Sequence, residues 1–385
     1  MMDKRLHVLH VLLSLQPGGL ENGVVNIVNR LNPDQFRSSI GCIKHAGEFA
    51  ARITSSEIKI YELGWRGGND LILPFRLARL FREARPDIVH TRNAESFFYG
   101  YLGAKLAGVE CIIHSEHGRT FNDRKIRFLM QKWFSEHTHA IFSVSTKLKD
   151  DLVKHIHIPK EKIEVLYNGV DLSQFKSVQR KVVRDKLGFR DDQIIIGSVG
   201  RLVAVKNYAL LLNAFHQLNL KNAVVMLVGD GEERKILEKL ARSLAIAGRV
   251  HFLGHRDDVA ELLLAMDIFV LPSISEGMSN TLLEAMAVGV APVASDIGGN
   301  PEIVDHGVSG FIFPSRDESA LREYLMTLAT DTTLRGEMGS AARNKVKSEF
   351  TIDAMVARYE SLYHRVWLEQ NSENRREQNH RPTRQ

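Results

Sequence analysis

Glu276 and Glu284, with seven residues between them, bracket Gly277-Met278-Ser279-Asn280-Thr281-Leu282-Leu283, where an apolar run ending at Leu271 gives way to a helical pattern. Carboxylates accept hydrogen bonds from vicinal hydroxyls, and the unsatisfied N–H groups at a helix start receive phosphate oxygens. A sugar carried on a nucleoside diphosphate presents both kinds of group. Taken singly, Glu284 reads as an acid on a solvated helix face and Glu276 as a charge favoured by the helix dipole. Together with Gly277 and Asn280 they read as one ligand site.

Arg201 and Lys206 stand five positions apart in Gly200-Arg201-Leu202-Val203-Ala204-Val205-Lys206, on a loop entering a helix. Two cations suit a diphosphate, and their attraction grows as negative charge develops on a departing one; the plainer reading is a solvated surface pair. Asp-x-Asp occurs nowhere in the chain, so the metal-dependent way of holding a diphosphate lacks its usual ligands and protein cations are expected to take the place of the metal. No metal and no cofactor is expected beyond the nucleoside-diphosphate sugar itself as co-substrate. Cys42 and Cys111 are the only cysteines. They suggest neither a disulfide framework nor a thiolate metal site, and they fit a reducing cytoplasm.

The elements that must position these residues form two series. Apolar runs at Leu6 to Leu13, Ser38 to Ile43, Ile58 to Leu63, Ile88 to His90, Cys111 to His114, Ala140 to Val144 and Ile163 to Tyr167 alternate with helical patterns. A second series follows at Ile194 to Val199, Ala223 to Val228, Val250 to Leu253, Ile268 to Leu271, Ala291 to Ala294 and Phe311 to Phe313. Such alternation predicts parallel sheets covered by helices on both faces. With 385 residues the chain is long enough for two domains, and the Asn168-Gly169 turn before Leu172 places a hinge there. Residues 1–172 are expected to form one domain and 173–351 the other, facing across a cleft. Ligands in such sheets bind beyond the carboxyl ends of strands, which singles out Gly200-Arg201, Gly229-Asp230-Gly231, Gly254-His255, Pro272 to Asn280 and Ser295 to Asn300. Asn300 reads as the N-cap of a helix with Pro301 in its first turn. Lys4-Arg5 and the apolar run after them imitate a secretory signal, but the histidines within the run and Gln16-Pro17-Gly18-Gly19 after it read as a strand and a strand-to-helix loop.

Glu276 to Ala294, Ser295-Asp296-Ile297-Gly298-Gly299-Asn300-Pro301-Glu302-Ile303 and Gly307-Val308-Ser309-Gly310-Phe311 resemble the donor-site signature of family 4 retaining glycosyltransferases of the GT-B fold, an α/β architecture of two Rossmann-like doubly wound domains. The likeness extends from about Leu6 to Val366 and includes Gly18-Gly19-Leu20-Glu21 and Asn168-Gly169-Val170-Asp171. Within the family the chain resembles sugar transferases of bacterial exopolysaccharide assembly. The resemblance implies that Glu276 contacts donor-sugar hydroxyls, Glu284 the ribose diol, and Arg201 and Lys206 the diphosphate. It implies backbone contacts from Gly277, Met278, Ser279, Asn280, Thr281 and Leu282, a base near Gly254 and His255, and close backbone approach at Gly18 and Gly19. His117, in His114-Ser115-Glu116-His117-Gly118, would lie beside the transferred sugar; a surface or hydrogen-bonded loop histidine is the alternative. The family also implies retention without a covalent glycosyl-enzyme, and a terminal helix over 352–370 that crosses back to the first domain.

A formal charge of +5 and a pI near 9.1 suit anionic partners without singling out nucleic acid, and none is expected. The expected partners are the donor and a glycan or lipid-linked acceptor. Residues 124–134 combine cations with large apolar groups, so they would either dock at the inner face of a membrane or pack Phe128, Leu129 and Trp133 on the sheet. No run of about 18 uninterrupted apolar residues occurs. Residues 371–385 carry no aliphatic or aromatic side chain and are expected to be disordered. The rival functions are a sugar-nucleotide epimerase of the same fold and a non-catalytic nucleotide-sugar binder. A dinucleotide oxidoreductase is disfavoured, because Gly18-Gly19 lacks the Gly-x-Gly-x-x-Gly fingerprint.

Overall fold

The computed structural model describes residues 5–118, 121, 125–175 and 179–379, with side chains described as far as Ser372. Runs rich in Val, Ile and Leu form the strands β1 (Leu6–Leu12), β2 (Phe36–Cys42), β3 (Lys59–Glu62), β4 (Ile88–Arg92), β5 (Cys111–Glu116), β6 (Ala140–Ser143) and β7 (Ile163–Val165). The second series is β8 (Ile194–Val199), β9 (Ala223–Val228), β10 (Val250–Phe252), β11 (Ile268–Leu271), β12 (Ala291–Ser295) and β13 (Phe311–Phe313). The predicted runs match these within a few residues. Every residue of β1 and of β9 is buried, as expected for strands covered by helices on both faces.

The chain divides into two compact units, Met1–Asn168 with Asp353–Gln385, and Gly169–Ile352; the break lies at Asn168–Gly169, just before the Leu172 expected from the turn residues. The first unit holds one parallel sheet in the order β3-β2-β1-β4-β5-β6-β7, the second a parallel sheet in the order β10-β9-β8-β11-β12-β13. In both, the chain winds outward in one direction, returns to the middle, and winds outward in the other. Strand order therefore reverses between β1 and β4 and again between β8 and β11, the two places where an open α/β sheet leaves a crevice beyond its carboxyl ends.

The first unit is completed by the C-terminal helix Ile352–Asn379. Tyr359, Leu362, Tyr363 and Val366 are buried. The ring of Tyr363 lies 6.1 Å from that of Phe36, and the Asn32 N–H donates to Glu360 Oε1 at 2.7 Å. The helix also runs through 371–379, a segment composition marked as disordered. Once one end is docked, each added residue needs only one more helical bond and no new nucleus. Residues 380–385 lie outside the described residues.

Two further readings are corrected. The helix Asn300–Ile303 has Gly299, not Asn300, at its N-cap; the Asn300 side chain is buried and donates through Nδ2 to the Ser295 carbonyl at 3.0 Å. In the helix Lys125–Glu136, Gln131 and Phe134 face the interior, whereas Leu129 and Trp133 are 64% and 52% exposed. The set Phe128, Leu129 and Trp133 spans two helix faces, so it cannot all reach the sheet. Arg124, at the edge of that expectation, lies outside the described residues.

The second unit is tied together at the amino ends of its central strands by Asp267, which is 7% exposed. Its Oδ1 accepts from Arg180 Nη2 at 2.5 Å, and its Oδ2 from Arg184 Nη2 at 2.5 Å and the Ile195 N–H at 2.8 Å. Cys42 and Cys111 are buried free thiols. Burial pushes each pKa up to about 12, helped by Glu62 at Cys42 and by Asp87 at Cys111, so neither is a ready nucleophile.

Candidate active site

The reversal between β8 and β11 places the loop after Val199 beside the loop after Leu271. Lys206 closes a short 3₁₀ turn, Ala204–Lys206, ahead of the helix Tyr208–Leu218. Its Nζ donates to Glu276 Oε1 at 2.5 Å, with side-chain exposures of 19% and 12%. Ser273 Oγ donates to the same oxygen at 2.7 Å, and the Ile274 N–H donates to the Val205 carbonyl at 2.8 Å. Among the described residues Glu276 Oε2 has no hydrogen-bond partner, so half of this largely desolvated carboxylate keeps its accepting capacity. Arg201 is exposed and makes no ion pair among the described residues, leaving a cation on the same loop.

Backbone geometry sets the frame around this pair. The Gly299 N–H donates to the Gly277 carbonyl at 2.7 Å. Gly298 has φ 57°, and a Cβ there would come within 2.3 Å of the Glu276 carbonyl oxygen, so a side chain would clash with the backbone holding the carboxylate. Ser279 caps the helix Asn280–Ala287, its Oγ accepting from the Leu282 N–H at 3.3 Å. Met278 and Leu282 are buried while Thr281 and Glu284 are half-buried, and Glu284 sits in the middle of that helix. Gly254, at φ 69°, passes its carbonyl to the Gly229 N–H at 2.8 Å; His255 beside it is 72% exposed. Lys206 and Glu276 are thus brought into contact, with Arg201, Gly277, Gly298 and Gly299 on the adjoining segments.

In the first unit Gly18 and Gly19 stand at the start of the helix Gly19–Arg30, with Gly18 extended. His117 follows β5. Its N–H donates to Asn93 Oδ1 at 2.8 Å, and its ring belongs to a buried polar cluster around Arg92, which is 1% exposed. Arg92 Nη1 reaches His117 Nε2 at 3.4 Å and Tyr359 Oη at 3.3 Å; its Nη2 reaches His10 Nδ1 at 3.2 Å and His90 Nδ1 at 3.4 Å. Among the described residues Arg92 has no carboxylate partner. Burial holds the pKa values of His10, His90 and His117 well below the ordinary histidine range, and the Arg92 charge pushes all three the same way. The sequence reading found His117 but missed Arg92, His10, His90 and Tyr359. The available signal was the presence of histidines and an arginine inside strands that should be apolar throughout.

Two parallel doubly wound sheets, each with polar residues gathered at a strand-order reversal, are the architecture of the GT-B fold. The protein from Anabaena called HepE, solved in complex with UDP and glucose, superposes with a TM-score of 0.83 at 21% identity, covering 93% of this chain and 99% of that one. Residues 17–174 match the model of Glycosyltransferase Family 4 and residues 179–345 that of Glycosyl transferases group 1. Over 300 residues the chain is 31% identical to the UDP-Gal:alpha-D-GlcNAc-diphosphoundecaprenol alpha-1,3-galactosyltransferase of Escherichia coli, covering 74% of this chain and 77% of that protein. It is 26% identical to the capsular polysaccharide biosynthesis glycosyltransferase CapM of Staphylococcus aureus, covering 77% of this chain and 81% of that one. The chain belongs to the family 4 glycosyltransferases.

Proposed function

We propose that this glycosyltransferase moves a sugar from a nucleoside-diphosphate donor to a hydroxyl of a glycan or lipid-linked acceptor in surface-polysaccharide synthesis, with retention at the anomeric carbon and without a metal. The observation that carries this reading is the desolvated Lys206–Glu276 pair with Arg201 on the same loop: one open carboxylate oxygen for sugar hydroxyls, beside cations for a diphosphate. Lys206 and Arg201 stabilise charge as it develops on the leaving phosphate. The acceptor oxygen bonds to the anomeric carbon as the bond from that carbon to the phosphate oxygen breaks, and the acceptor proton passes to an oxygen of the departing diphosphate. Glu284 is assigned to the ribose diol, the backbone of Gly277 to Leu282 to sugar and phosphate, and Gly254 and His255 to the base. Gly18 and Gly19 allow close backbone approach, and His117 donates to a sugar hydroxyl. The E. coli relative, whose name specifies UDP-galactose and a diphosphoundecaprenol acceptor, favours a uridine diphosphate donor and a polyprenyl-diphosphate acceptor.

Thermal shift against uridine, guanosine and adenosine diphosphate sugars tests the donor. A cognate donor at about a hundred times its Kd adds roughly 2.7 kcal/mol to the stability of the unit that binds it, a clear rise in Tm for one base and a small one for the others. No shift with any of them removes the proposal.

A membrane-side acceptor is supported by the helix Lys125–Glu136. Ile126, Leu129 and Trp133 fall on one face at helical spacing and are 59%, 64% and 52% exposed, among Lys125, Arg127 and Lys132. Leu71, Ile72 and Phe75, at the start of the helix Leu73–Ala84, are exposed as well. Both helices begin at the carboxyl edge of the same sheet. No helix among the described residues is long and apolar enough to cross a membrane, so the contact is interfacial. The protein is expected to pellet with vesicles containing anionic phosphatidylglycerol and to lose that association in Leu129→Ser/Trp133→Ser. Sedimentation indifferent to lipid rules the contact out.

A further inference from the structure

The hydrogen-bond directions around His117 close on themselves without choice. A guanidinium only donates. Arg92 Nη1, 3.4 Å from His117 Nε2, therefore makes that nitrogen an acceptor. A second route reaches the same nitrogen. His90 Nδ1 faces Arg92 Nη2 at 3.4 Å and Tyr363 Oη at 2.9 Å, so His90 Nδ1 accepts and its Nε2 carries the hydrogen. That N–H meets Ser115 Oγ at 3.1 Å, which uses the hydroxyl as an acceptor and turns its own hydrogen toward His117 Nε2, also at 3.1 Å. Two donors, both directed by Arg92, thus converge on His117 Nε2. The remaining ring nitrogen, Nδ1, must hold the hydrogen, and among the described residues this buried N–H has no partner.

We infer that Arg92 is a positioning residue: it locks His117 as the neutral Nδ1–H tautomer and so presents one buried, uncommitted N–H donor to a ligand hydroxyl. The electrostatics of the cluster agree with the geometry. Arg92 from β4 and Ser115 from β5 contact the ring; His90 from β4, His10 from β1 and Tyr359 from the C-terminal helix are held to it through Arg92, and His114 from β5 acts on it electrostatically from the other face of the sheet. Burial, then Arg92, then His114 hold the His117 pKa well below the ordinary histidine range. His114 is itself engaged elsewhere, its Nδ1 lying 3.0 Å from Thr91 Oγ1 and its Nε2 3.6 Å from Glu116 Oε2. A neutral donor serves a reaction in which positive charge builds on the sugar ring, since an imidazolium at that place would oppose it. The identity of the hydroxyl rests on the function proposed above; the tautomer does not.

The test is ¹⁵N spectroscopy of histidine-labelled full-length protein, with no donor or acceptor added. His117 is assigned by its loss in His117→Gln. In the wild type it is expected to show a protonated Nδ1 and an unprotonated Nε2, unchanged between about pH 5 and 8, the range where a free imidazole titrates. Removing the guanidinium in Arg92→Met takes away one Nε2 donor and the charge that disfavours protonation. His117 should then populate both tautomers at the upper end and take up a proton as the pH falls. Arg92→Gln keeps a donor but drops the charge; it is the variant to use should Arg92→Met fail to fold, and it should titrate while still favouring Nδ1–H. A wild-type His117 protonated at Nε2, or an unchanged tautomer and titration in the folded Arg92 variants, overturns the inference. The readout does not use sugar transfer, so failure of the donor reading and failure of this one are distinguishable.

Discussion

Glu276→Gln is expected to lower kcat/KM for sugar transfer about 10³-fold, roughly 4 kcal/mol of transition-state stabilisation, while the protein still folds. The carboxylate has one oxygen tied to Lys206 at 2.5 Å and Ser273 at 2.7 Å, and the other available to a ligand. Glutamine keeps the shape but removes the charge, so sugar hydroxyls lose a strong acceptor and Lys206 loses its counter-charge. Truncating one member of a desolvated pair costs more than a surface pair because the partner stays buried and uncompensated. If the acid acts mainly as the sugar reacts, the loss falls on kcat more than on the donor KM. Lys206→Met should cost a similar factor by removing a cation from the leaving diphosphate, and the double variant should be little worse than either single one, since the two side chains act as a unit. Steady-state transfer kinetics with circular dichroism as the folding control decides. Transfer within tenfold of wild type in folded Glu276→Gln would take the acid out of the reaction and leave a binding protein or an epimerase to be considered.

Asp267→Ala should strongly destabilise the second unit. The carboxylate accepts from two guanidinium groups and one backbone N–H, and Arg184, 3% exposed, is hydrogen-bonded to no other carboxylate among the described residues. Its remaining bonds go to the carbonyls of Ala265, Asp191 and Gln193. Leaving a buried arginine uncompensated costs about 3–5 kcal/mol. For a unit of this size each kcal/mol moves the midpoint by roughly 2–4 °C, so a fall of about 10 °C is expected in the melting of that unit. Arg180→Ala, which removes a half-exposed partner, should cost far less. Equal losses for the two variants, or a drop of only a degree or two for Asp267→Ala, would show the network to be incidental.

Much of the architecture was legible because it is written in short-range patterns. Val- and Ile-rich runs such as Ile194–Val199 and Ala223–Val228 are buried on both faces in a parallel sheet, which is why they read as unbroken apolar stretches. Asn300 was misread because its side chain had a better partner than the helix start. It is fully buried and satisfies the Ser295 carbonyl, a need that arises only once β12 and the following loop are folded together. For Leu129 and Trp133 hydrophobicity alone allows either an inward or a membrane-facing placement. Their helix buries Gln131 and Phe134, while Trp133 meets Tyr101 with only part of its ring covered; apolar character does not say which face a sheet will cover.

The amino-acid sequence by itself determined the local parts of the candidate site: the Ser279-capped helix carrying Glu284 and the Gly298-Gly299 approach to the Glu276-Gly277 backbone. These depend on φ preferences and on hydrogen bonds within some two dozen positions, so the residue types suffice. Tertiary structure alone decided that Lys206 would meet Glu276 across 70 positions, and that Arg92 would meet Tyr359 across 267. Parallel strands are joined by crossovers, and their neighbours are set by the winding of the whole sheet. A guanidinium and three imidazoles therefore become one hydrogen-bonded cluster only when β1, β4, β5 and the C-terminal helix have packed and water has been excluded from among them.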